Sequence, residues 1–102
     1  MLYAVLFEDD PACAPDIRAR HMPAHLSFLA AHSAEVQAAG PLLPGPQGSA
    51  GGLWIVEAAT IAEVEALVQG DPFWPTGLRK SVQIRPWQKV FPPDAFTLEV
   101  GR

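Results

Sequence analysis

Residues 2–8 are β-formers that put Leu2, Ala4 and Leu6 on one face and Tyr3, Val5 and Phe7 on the other. A strand apolar on both faces is built for burial on both sides, and Asp9-Asp10-Pro11 bounds it. The same two-sided pattern returns at Leu53 to Ala58, where Leu53 and Ile55 oppose Trp54 and Val56. Between these runs the period changes. From Pro23 to Ala39, Leu26, Leu29 and Val36 recur at helical spacing, which predicts a helix packed on the sheet. Proline suits a first helical position and biases Met22 away from the α region. The main helix is therefore expected to start at Pro23, after a separate turn over Asp16 to Arg20; one kinked helix is the alternative. Gly40 then closes the helix, and Leu42 and Leu43 mark a short second strand before a glycine-rich connection.

The second helix has clearer signals. Thr60 and Glu63 form a capping box, Ile61, Val64, Leu67 and Val68 share a face, and Gly70 is a stop. A turn or short helical piece around Asp71 to Leu78 precedes a fourth strand over Ser81 to Val90, whose Pro86 argues for an edge or bulge. Residues 92–102 read as a tail, with Phe96 to Val100 an extra strand or an arm on a partner. The order β, α, β, β, α, β defines an α+β class, a ferredoxin-like sandwich of one antiparallel sheet with two helices on one face. If the uncovered face displays Trp54, Val56, Tyr3 or their neighbours, it exposes an apolar patch that a small monomer seldom tolerates. A face-to-face homodimer, closing two sheets into an α+β barrel, is the expected cover; the chain's own tail is the alternative.

With 102 residues, 49% of them hydrophobic, the chain suits a single domain over residues 1–102. A net charge of -4 and a pI near 5.1 leave no basic stripe for phosphates, so no nucleic-acid partner is expected. The lone Cys13 forms neither an internal disulfide nor a Cys-rich zinc site, which fits a reducing cytoplasm. The apolar start is short, lacks a basic segment and runs into acids, so neither a signal peptide nor a membrane span is expected.

Three histidines carry the candidate chemistry: His21, His25 and His32. With a helix start at Pro23, His25 falls in the first turn, where the helix dipole disfavours imidazolium and keeps a base neutral. Asp71, in the turn after the second helix, is placed by this topology to approach it and to fix one ring nitrogen, leaving the other to take a proton. The bland alternative is a bridging histidine and an ordinary Gly-Asp-Pro turn. His21 and His25 become an i, i+4 metal pair only if the helix runs back through Pro23. Even then no HExxH glutamate or third ligand is in view, so no metal is expected. Phe28, Phe73, Trp74 and Trp87 are candidates for an apolar pocket around a ring-shaped small molecule, or for core and interface.

Five segments together carry a family resemblance: Met1 to Asp9, Pro23 to Leu29 with His25, Ala38 to Pro44, Asp71 to Phe73, and Ile84 to Phe91. Over nearly its whole length the chain resembles the YCII-related (YciI-like) proteins of the dimeric α+β barrel superfamily. The resemblance implies a ferredoxin-like fold, a homodimer or higher oligomer, and a His with an Asp facing a cleft, here His25 and Asp71. It suggests acid/base chemistry of lyase or isomerase type without cofactor or metal, as in elimination from a hydroxylated ring or a proton shift in a lactone. One departure stands out: the family often carries Arg three residues before the histidine, where this chain has Met22, with Arg18 and Arg20 upstream. The leading expectation gives His25 the proton transfer, Asp71 its orientation, Arg20 the developing negative charge, and Phe28, Phe73 and Trp74 the substrate. The rival is a binding or accessory protein that keeps the pocket without the chemistry.

Overall fold

The computed structural model describes residues 1–46 and 48–93, so the expectation of an extra strand at Phe96 to Val100 lies outside the described residues. The elements run β1 (Leu2–Asp9), α1 (Ile17–Ala31), β2 (Val36–Leu42), β3 (Gly51–Glu57), α2 (Ile61–Gly70) and β4 (Arg79–Trp87), with a short 3-10 turn at Trp74–Thr76 before β4. The strands form one antiparallel sheet in the order β2-β3-β1-β4. This is the ferredoxin-like βαββαβ sandwich.

The expected barrel is corrected. The sheet is open, with β2 and β4 as its two edges. Closure needs more strands and a matched stagger, and here each edge strand holds a proline, Pro41 in β2 and Pro86 in β4, which withdraws a ladder donor.

Opposed residues of an antiparallel pair share a face, so the register sorts the side chains. Tyr3, Val5, Phe7, Val36, Trp54 and Val56 turn toward the helices and meet Val64 and Val68 of α2 in the core, with Phe28 and Leu29 of α1 packed against them. Tyr3, Trp54 and Val56 are therefore not on the uncovered face. That face carries Leu2, Ala4, Leu6, Leu53 and Ile55, all half-buried, and the exposed Leu42 and Trp87.

The first helix and second strand divide differently from the pattern. Rather than starting at Pro23 after a separate turn, α1 runs continuously from Ile17 through Pro23 to Ala31. Pro23 removes the bond that an N–H there would have made to Ala19 and crowds the Ala19 carbonyl with its ring, a cost that the contacts of α1 with the rest of the fold offset. Nor does the helix reach Ala39 or stop at Gly40. His32 ends it, its N–H bonded to the Phe28 and Leu29 carbonyls, and Val36 opens β2 opposite Val56. Residues 34–39 are mostly helix formers, but pairing with β3 and burial of Val36 override propensity.

Candidate active site

α1 and the turn after α2 bring two polar side chains together inside the sandwich. His25, the buried residue of α1, donates from Nδ1 to Asp71 Oδ1 at 2.8 Å, with side-chain exposures of 10% and 2%. A carboxylate can only accept, so the shared hydrogen belongs to Nδ1, and Nε2 is left to exchange a proton. Asp71 is held in turn: it is the C-cap residue of α2, and its Oδ1 also accepts the Phe73 N–H at 3.3 Å. The Phe73 ring packs on the imidazole at 4.6 Å between centroids, with Trp54 at 6.3 Å on the same ring system. The imidazole is thus fixed by one hydrogen bond and two aromatic neighbours.

The expected place of His25 in a first turn is corrected. Because α1 starts at Ile17, His25 lies mid-helix, beyond the reach of the N-terminal dipole. The same continuity sets Arg18, Met22, His25 and Leu29 along one side of α1, and they line a cavity of about 340 Å³ with Leu26, Trp54, the β2 residues Ala39 to Leu42, and Gly51 and Gly52. It also spaces His21 and His25 at i, i+4. Among the described residues, no three His, Cys, Asp or Glu side chains are grouped as metal ligands.

A second polar cluster borders this cavity. Asp9 accepts from Arg18 Nη2 through Oδ2 and from Arg79 Nη1 at 2.9 Å through Oδ1. A β-bulge between Glu8 and Asp9 skips Lys80 and sets Arg79 opposite Asp9. Burial lowers the pKa of the Arg79 guanidinium from its ordinary value; Asp9 opposes this, and Arg18 adds to it. Gly52 makes room, since a Cβ there would lie 3.1 Å from Arg79 Nη1.

The other candidate residues lie apart from the cavity. Arg20 bonds Asp16 on the exposed side of α1. Phe28 packs against the core and borders a separate hollow with His32 and Glu35. Phe73 is fully buried behind His25, and Trp74 is exposed at 39% in the 3-10 turn. Sequence reading missed Asp9 and Arg79 altogether and Arg18 as a lining residue. A signal existed for Asp9: it continues the odd-numbered, helix-facing positions of β1.

A ferredoxin-like sandwich with a buried His–Asp pair opening on an apolar cavity defines the class. The chain belongs to the YCII-related family, whose model matches residues 1–88. Protein YciI of Escherichia coli O6:H1 and of Shigella flexneri are each 31% identical over 99 residues, spanning 89% of this chain and 100% of theirs. A solved structure of 5-chloro-2-hydroxyhydroquinone dehydrochlorinase from Burkholderia phenoliruptrix AC1100, in complex with 2,5-dihydroxybenzoquinone, superposes with a TM-score of 0.73. It is 28% identical, and the match covers 86% of this chain and 94% of that one.

Proposed function

We propose that the protein is an acid/base enzyme of lyase or isomerase type acting on a small hydroxylated ring compound or a related lactone. The observation that carries this reading is the 2.8 Å bond from His25 Nδ1 to Asp71, which leaves Nε2 as the proton-exchanging atom beside an apolar cavity. Nε2 takes a proton from a ring hydroxyl or activated carbon, and Asp71 stabilises the imidazolium that results. In an elimination the released electron pair expels the leaving group as an anion. In an isomerisation the imidazolium returns the proton at another carbon. Neither step transfers net electrons to a cofactor. The likeness to the dehydrochlorinase supports the ring-compound class, and Trp54, Leu26, Leu29 and Met22 offer such a ring apolar walls.

The experiment is a screen of hydroxyquinols, catechols and lactones with the parent and His25→Ala, followed by product analysis. Turnover that depends on His25 is the expected result. Binding with no His25-dependent product would contradict it and favour a binding or accessory protein.

We also propose that two copies associate through the uncovered face of the sheet, where Leu2, Leu6, Leu53 and Ile55 cluster. Sedimentation at micromolar concentration should give at least twice the 11.0 kDa chain mass. A monomer mass would overturn this.

A further inference from the structure

The charges around the cavity are one-sided. Arg18, Arg79 and His25 line it, and no carboxylate does among the described residues. Asp9 faces the neighbouring hollow instead, on the other side of Arg18. Asp9, and Asp71 behind His25, balance the two guanidiniums in number, but only the cations reach the cavity wall.

Arg79 has capacity to spare. Its side chain is 4% exposed, and Nη1 is engaged by Asp9. Nε is sealed from solvent and has no hydrogen-bond partner among the described residues, and Nη2 makes no hydrogen bond there either. A buried guanidinium with unused donors is an uncommon state, because an unmade buried hydrogen bond is costly. Its attitude is set on several sides: the Phe7 ring at 4.3 Å and the Phe73 ring at 5.3 Å from Cζ, Gly52 alongside, and the bulge that skips Lys80. Phe73 also contacts the imidazole at 4.6 Å and lies 5.8 Å from Arg18 Cζ. One ring therefore neighbours the base and both cations.

We infer that Arg79 and Arg18 form an anion-binding end of the cavity, selecting substrates that carry an ionised oxygen, a carboxylate or an acidic enolate, on the ring that His25 works on. A guanidinium suits such a group, which accepts a charge-assisted hydrogen bond from the Arg79 Nη2 that Asp9 leaves free. The ring body then lies between Trp54 and the aliphatic wall of α1, within reach of Nε2. This inference rests on the proposed function for its choice of substrate class.

The test compares 2,5-dihydroxybenzoate with its neutral isostere 2,5-dihydroxybenzamide by titration calorimetry on the parent at fixed ionic strength. The anion is expected to bind about tenfold more tightly or better. Arg79→Lys keeps a charge opposite Asp9 but removes the Nη2 donor, and Arg18→Gln removes a cation at a half-exposed position; each should narrow the preference several-fold. Equal affinity for the two probes, no binding of the benzoate at millimolar concentration, or an undiminished preference in both variants would overturn the inference. The comparison on the parent stands even if a variant fails to fold. Because it reads binding, it separates from the proposed chemistry. Anion preference without His25-dependent turnover removes the enzyme and keeps the anion site; His25-dependent turnover without anion preference does the reverse.

Discussion

The two helices lie on the same face of one sheet and are held there by different means. α2 is secured by its own sequence. The Thr60 hydroxyl accepts the Glu63 N–H, the Glu63 carboxylate accepts the Ala59 N–H at 2.9 Å, and Val64 and Val68 fill the core. α1 lacks a side-chain cap, because the Asp16 carboxylate is turned to Arg20; it contains Pro23, and its buried residue is a histidine. What anchors α1 is polar and long-range: His25 to Asp71 and Arg18 to Asp9. The helix that departs from local rules is the one that presents the reactive groups, which is where such departures are expected.

Substitutions should separate the helices by readout. Asp71→Asn leaves the shape of the site but no longer enforces the tautomer, so turnover should fall about a hundredfold or more while the fold is kept. Steady-state kinetics and circular dichroism check the two halves of that statement. Val64→Ala removes two buried methyl groups from α2 and should cost about 2 kcal/mol in urea unfolding, with turnover per folded molecule unchanged. Thr60→Ala removes the cap and should cost about 1 kcal/mol in the same assay. A catalytic defect from either α2 variant, matched to that of Asp71→Asn, would erase the distinction.

How far each part was legible follows from the same contrast. β1, β3 and α2 could be read directly because pattern, caps and packing agree there. The boundary between α1 and β2 could not, since Ala34, Glu35 and Gln37 favour a helix by themselves and only the partner strand decides otherwise. Pro23 obscured the start of α1 in the same way: a local rule was outweighed by distant contacts. His25 and Asp71 were reachable through topology and resemblance, though the argument from a first-turn position fails for a residue in mid-helix. Arg79 was hidden more deeply. Strand alternation points Lys80 inward, and only the bulge at Glu8/Asp9 exchanges it for Arg79.

That Asp71 and His25 act as one unit is tested most directly by recording the long-range ¹H–¹⁵N correlations of the His25 imidazole in the parent and in Asp71→Asn. The parent should show the proton on Nδ1, and the variant should lose that preference, because an amide no longer enforces the tautomer. The same tautomer balance in both would contradict the pairing and, with it, the reading of the cavity as an acid/base site.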